Sequence, residues 1–228
     1  MKKDEADCCT FVKKFFTMTQ SNFREWTLDK IDEAFGLKQV RRIPLLDEWM
    51  SYPYETTDFQ RQYLSQIRDL YFLGGDSWNE AELENKIISP IIVFSQIDNE
   101  EFSYFLERPL EATIGDFELS GKVDGMVATG FRNPKKPFFC MNEYKRATDP
   151  DGDPQGQALI AMLSAQHNND NQKPIFGCYI VGKQWTFMIL EGKKYALSQS
   201  FSVDDDEIFD IHRIFRGLRF QIERLLGI

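Results

Sequence analysis

Gly121-Lys122-Val123-Asp124-Gly125-Met126-Val127-Ala128 and, beyond the loop Asn133-Pro134-Lys135-Lys136-Pro137, Phe138-Phe139-Cys140-Met141-Asn142-Glu143-Tyr144-Lys145 form the stretch on which the reading of this chain turns. Residues 122–128 read as a strand, with Val123 and Val127 flanking an aspartate in apolar surroundings. Residues 138–141 are a short, nearly continuous apolar run, as a central strand covered on both faces requires. That run leads directly into Glu143 and Lys145. Side chains alternate along a strand, so these two, being two residues apart, emerge on one face.

Upstream, Asn79 fits a helix N-cap and Glu82 the third position of a capping box. The acidic first turn suits the helix dipole. Leu83, Ile87 and Ile91 make the apolar stripe, and Pro90 predicts a kink. Residues 102–106, 111–114 and 117–119 read as strand material. Downstream, 149–154 read as a polar turn and 155–166 as a helix with Leu159, Met162 and Leu163 inward. Three strands follow at 174–181, 186–190 and 195–201, and a helix spans 204–226. In that helix Ile208, Ile211, Phe215, Leu218, Ile222 and Leu225 alternate three- and four-residue steps. This is the pattern of a core helix, or alternatively of a dimer seam. Asp204-Asp205-Asp206-Glu207 reads as its solvated start.

The first third of the chain is helical in pattern. Leu28, Ile31 and Phe35 share a face that Gly36 ends, Pro44 punctuates a segment at 43–50, and 51–54 read as a loop. A helix at 57–73 has Phe59, Tyr63, Ile67 and Leu70 on one face, and Gly74-Gly75 stops it. The expected organisation is a helical N-terminal region, 1–75, and an α/β core, 76–228.

The composition supports a packed core: 42% of residues are apolar and 14% aromatic. No apolar run is long enough for a membrane helix, and no signal-peptide core follows the charged residues 1–7, so cytoplasmic residence is expected. Cys8 and Cys9 are adjacent, while Cys140 and Cys178 lie in strand-like runs as buried thiols. His167 and His212 lack metal-ligand spacing, which argues against a zinc hydrolase. The net charge of −9 belongs to the N-terminal half. Residues 121–228 carry 14 Lys and Arg against 13 Asp and Glu, whereas 1–120 carry 13 against 23.

Two carboxylates on neighbouring strands with a lysine beside them suit metal-dependent phosphodiester hydrolysis. Asp124 and Glu143 offer hard oxygens to one or two Mg²⁺ (or Mn²⁺) ions, with the Tyr144 carbonyl as a third ligand. Such an ion acidifies water and stabilises charge on phosphate, and Lys145 would orient the water or contact the phosphate.

In this order the motifs resemble the PD-(D/E)xK nuclease superfamily across residues 78–228. The segment from Asn79-Glu80-Ala81-Glu82-Leu83 to Ile88-Ser89-Pro90-Ile91-Ile92 looks like the opening of the nuclease domain in type I restriction motor subunits. The resemblance implies a restriction-endonuclease-like core: a mixed central sheet flanked by helices, with the metal site where the Asp and Glu-x-Lys strands diverge. It makes Glu80 the helix glutamate of that site, with Glu84 as runner-up and Glu82 a cap. It also points to Gln157, ahead of Gln155, as the glutamine opening the next helix. Ala161 stands where RecB-like nucleases carry a tyrosine, a departure from that branch.

Without the resemblance, Glu143 and Lys145 are a strand-end ion pair, Asp124 a turn former, Glu80 a dipole residue and Gln157 a surface amide. Lys122, Arg146 and Lys183, or Arg213, Arg216 and Arg219 on the last helix, would contact phosphate or form solvated faces. Trp185 and Phe187 read as core rather than as base-stacking platforms. The expected function is hydrolysis of nucleic acid, DNA foremost, in restriction, repair or defence. The alternative is a weakly active or inactive nuclease-fold module. It would act in binding or within a larger complex, with the acidic N-terminal region docking a protein partner.

Overall fold

The computed structural model describes residues 18–148, 152–170 and 173–228, so Cys8, Cys9 and the first half of the expected turn at 149–154 lie outside the described residues. The first element is a strand, β1 (Thr19–Asn22), which the sequence reading did not anticipate. A 3-10 turn (Phe23–Glu25) leads into α1 (Leu28–Phe35), which buries Ile31 and Phe35. Gly36 ends α1 at φ 63°, a left-handed conformation glycine adopts without a Cβ penalty. A second unanticipated strand follows, β2 (Lys38–Gln39), and then α2 (Pro44–Met50), opened by its proline. α3 (Asp58–Phe72) starts on a Thr57–Gln60 capping box.

The buried face of α3 is Leu64, Ile67 and Tyr71, whereas Phe59 and Leu70 from the expected stripe are exposed. The helix therefore packs through an i, i+3, i+7 set rotated from the anticipated one. α4 (Glu80–Leu83), a π turn (Glu84–Ile88) and α5 (Ser89–Phe94) form one interrupted helix. Asn79 and Glu82 make the predicted capping box, and Leu83, Ile87 and Ile91 are buried. The anticipated irregularity at Pro90 takes the form of this π turn just upstream, since proline supplies no N–H to the helical ladder.

β3 (Phe102–Ile114), β4 (Phe117–Thr129) and β5 (Lys135–Lys145) form an antiparallel meander. β3 and β4 are each one long strand where the sequence showed two pieces. In β3, Glu107 takes a left-handed φ of 50° without ending the strand or shifting its register on β4. α6 (Pro154–Asn168) crosses over, and β6 (Ile175–Val181) returns parallel to β5. β7 (Gln184–Glu191) and β8 (Lys194–Ser202) continue antiparallel, and α7 (Glu207–Leu226) closes the chain.

Among the described residues these strands make one mixed eight-stranded sheet, ordered β1-β4-β5-β6-β7-β8-β2, with β3 on the other side of β4. One face is covered by α6 and α1, whose Trp26, Ile31 and Phe35 neighbourhood joins Met141, Met188 and Leu190. The other is covered by α2, α3, the α4–α5 helix and α7. The N-terminal region is helical as expected, but it also supplies both short strands, parallel to β4 and β8. Its side chains share the main core: Trp49 packs edge-to-face with Phe176 and Phe187, and its indole N–H donates to the Ile214 carbonyl at 2.8 Å. No described helix is long and apolar enough to cross a membrane.

Candidate active site

One side of β4 is divided between two partners. Residues 117–120 pair with β1 and 125–129 with β5, so 121–124 face neither. The strands fork around that gap and open a cleft of ≈ 380 Å³. Asp124, Glu143, Lys145, Glu80 and Gln157 all line it, together with Lys122 and the turn Asn22–Glu25. The five side chains singled out from sequence are thus brought to one place from β4, β5, α4 and α6. A larger depression of ≈ 520 Å³, lined in part by Gln20, Glu111, Glu118 and Asn168, has no cation in its wall.

Glu143 and Lys145 leave the same face of β5, as strand alternation demands, and both are buried. The Lys145 ammonium contacts the Glu143 carboxylate, donates to the Tyr144 carbonyl at 3.1 Å, and lies 3.9 Å from Glu80 Oε1. Asp124 lies within β4 rather than in a turn. Its Oδ2 accepts the Tyr144 N–H at 2.7 Å, taking the place of a ladder bond where β4 and β5 part. Gly125 is needed for close approach: a Cβ there would run into the phenol oxygens of Tyr104 and Tyr144. Those phenols hydrogen-bond each other, and Asn142 Nδ2 donates to Tyr104 Oη at 3.1 Å. A buried polar cluster therefore backs the site from the opposite face of the sheet.

Burial, followed by the charge of Asp124, pushes the Glu143 carboxyl up to about 7, against the opposing pull of Lys145. Burial likewise raises Asp124, with the Tyr144 N–H and Lys145 opposing. Glu84 is raised by burial and by Glu107 and Asp124. Glu82 faces elsewhere, capping Asn79 and pairing with Lys86 at 3.0 Å. Gln157 is buried in the first turn of α6, beside Gly152; Gln155 lines neither this cleft nor its neighbour.

The donor chemistry fits a divalent cation. Asp124, Glu143 and Glu80 gather near the Lys145 ammonium, and burial pushes the first two toward holding a proton. Their oxygens are hard ligands of the kind Mg²⁺ or Mn²⁺ takes. Among the described residues, however, no group of three or more His, Cys, Asp or Glu is gathered tightly enough to hold a metal. The Tyr144 carbonyl, expected as a ligand, accepts from Lys145 instead.

Most of the other basic candidates are engaged elsewhere. Lys122 pairs with Glu107 at 3.0 Å and Lys183 with Asp204 at 2.8 Å. Arg213 donates to the Met50 and Tyr52 carbonyls, Arg216 to Ser95 O, and Arg219 to Gln96 O. The α7 arginines thus tie α7 to the ends of α2 and α5 rather than lining the cleft. Trp185 and Phe187 are fully buried against Phe215, as read.

The residue missed from sequence is Arg24, at the cleft wall. Its one available signal was the pair Asn22 and Glu25, spaced as a capping box; both halves of that box form here. The sequence matches no protein-family model and no curated protein.

Proposed function

We propose that this protein is a metal-dependent nuclease that hydrolyses phosphodiester bonds of nucleic acid, with DNA as the favoured substrate, and that its sheet is a restriction-endonuclease-like core. One observation carries the reading: Asp124 and Glu143 meet across diverging strands, with Lys145 beside Glu143 and Glu80 reaching in from α4. The antiparallel β3–β4–β5 meander, the α6 crossover and parallel β6 support the core assignment.

Asp124 and Glu143 would hold Mg²⁺ or Mn²⁺, with Glu80 and, once Lys145 turns away, the Tyr144 carbonyl completing the donors. The ion would supply Lewis-acid stabilisation of charge on the phosphoryl group. Lys145 carries three ammonium protons; with one on Glu143 and the Tyr144 carbonyl released, the others can orient the attacking water or a phosphate oxygen. In the reaction the water oxygen bonds to phosphorus, one ester P–O bond breaks, and the leaving oxygen takes up a proton. The buried first turn of α6 keeps Gln157 fixed beside that position.

The test is cleavage of single-stranded, duplex and branched DNA, and of RNA, with Mg²⁺ or Mn²⁺, comparing wild type with Asp124→Ala and Lys145→Ala. Activity that needs metal and falls at least about 100-fold in both variants is expected. Equal cleavage by wild type and variants would exclude this site.

A second reading is a nuclease-fold module without catalysis, acting in binding or within a larger complex. It is favoured by Lys145 already resting on Glu143 and on the Tyr144 carbonyl, two of the expected metal donors.

A further inference from the structure

The segment from Asn22 to Leu28 is held far more firmly than an edge connection needs. Phe23 packs against Gly121 so closely that a Cβ on Gly121 would occupy its ring. Asn22 and Glu25 cap the turn reciprocally. A Cβ on Gly156 of α6 would strike the Trp26 carbonyl. Asp153 caps two helices at once: Oδ1 accepts from Gly156 N–H at 3.0 Å and Oδ2 from Leu28 N–H at 3.3 Å. The turn is thereby clamped between β4 and α6, and Arg24 stands at its crest, exposed.

Arg24 occupies a particular place. A second cavity of ≈ 240 Å³ adjoins the cleft, and the two share Arg24, Glu80, Lys145 and Gln157 in their walls. Of the cations in those walls, Lys145 is paired with Glu143 and Lys122 with Glu107. Among the described residues the Arg24 side chain makes no ion pair or hydrogen bond. A guanidinium with its donor fork unused, carried on a rigid turn at the junction of two depressions, suits bidentate recognition of phosphate. Holding the turn still in advance removes much of the ordering cost of binding.

We propose that Arg24 is the substrate-phosphate anchor of this cleft. It grips a backbone phosphate of a DNA strand that runs from one depression into the other, next to the phosphate at Asp124 and Glu143. This assignment rests on the nuclease reading above.

The test is fluorescence-anisotropy titration of labelled single-stranded and duplex DNA over a range of salt, in EDTA so that no metal is present. Wild type is compared with Arg24→Ala, Arg24→Lys and Arg24→Glu. Arg42→Ala serves as a control for charge, because Arg42 pairs with Asp47 and does not line either depression. Arg24→Ala should weaken binding about tenfold and flatten the slope of log K against log salt by about 1. Arg24→Lys should recover part of the affinity, Arg24→Glu should lose more than alanine, and Arg42→Ala should match wild type. Melting temperatures should stay together across the Arg24 series. An Arg24→Ala protein with wild-type affinity and slope, or an equal loss in Arg42→Ala, overturns the anchor and leaves the nuclease reading standing. Wild type that neither binds nor cuts any nucleic acid overturns both.

Discussion

At the scale of single residues, the Asp124–Glu143 pair makes stability depend on pH. Glu143 has its carboxyl raised by burial and by Asp124, from 4.5 to about 7. The folded protein therefore holds that proton more tightly than the unfolded chain, and ionisation works against folding. Without metal, this group's penalty is absent below pH 4.5, grows as pH rises, and is complete above about 7. His212 acts oppositely. Its burial beside Tyr54 and Phe94 lowers it from 6.5 to about 4, so its contribution to stability is present above 6.5 and lost as pH falls through 4. Asp124→Asn keeps an acceptor for the Tyr144 N–H while removing one buried charge. In EDTA above neutral pH it should melt about 2–4 °C higher than wild type, equivalent to roughly 1 kcal/mol, and show a flatter decline with pH. Scanning calorimetry across the pH range reads this directly, and an unchanged or lower melting temperature would refute the electrostatic account. Mn²⁺ should raise the wild-type melting temperature and leave Asp124→Asn unmoved; equal shifts would place the metal elsewhere.

At the scale of elements, two features make separable predictions. Gly125 lets β4 lie against the Tyr104–Tyr144 phenols while Asp124 points into the cleft. Gly125→Ala must displace those phenols or the strand, so it should cost about 1–3 kcal/mol in denaturant unfolding. Adding Tyr104→Phe should return part of that loss, because the nearest obstructing atom is the Tyr104 hydroxyl. Purely additive losses would mean that the clash is relieved elsewhere. On α7, Arg213 donates to two carbonyls at the end of α2. Arg213→Ala should lower stability by about 1–3 kcal/mol and leave DNA affinity and its salt slope untouched. A flattened slope would reinstate α7 as a phosphate-binding face.

At the scale of the whole molecule, the N-terminal segment is a working part of the sheet and of its main core. β1 lies along β4, β2 along β8, and Ile43, Leu46, Trp49, Leu64, Ile67 and Tyr71 pack with α7. A chain beginning at Trp78 loses those partners and should lack a cooperative thermal transition and near-ultraviolet dichroism, while the full chain keeps both. Native-like unfolding of the shortened chain would instead mark residues 78–228 as self-sufficient.

The local pattern of the chain by itself determined the long elements and much of the candidate site. The Asn79 capping box, the α7 stripe and the strands around Asp124 and Glu143 rest on short-range spacing, which fixes which side chains share a face. Glu143 beside Lys145 follows from that spacing alone. What lay outside local pattern was decided by partners distant in the chain. β1 and β2 are too short for a readable alternation and exist because the edges of β4 and β8 offer unpaired backbone groups. α6 is buried on every side, beyond the Leu159, Met162 and Leu163 stripe, because the N-terminal turn and α1 cover its outer face. Packing of α4 against the sheet brings Glu80 to 3.9 Å from Lys145, while Glu82 stays in its cap. The parting of β1 and β5 along β4 opened the cleft, and the clamped turn brought Arg24 to it. Residues that far apart in sequence meet only when the whole sheet closes, so no window of the chain could have foretold their contact.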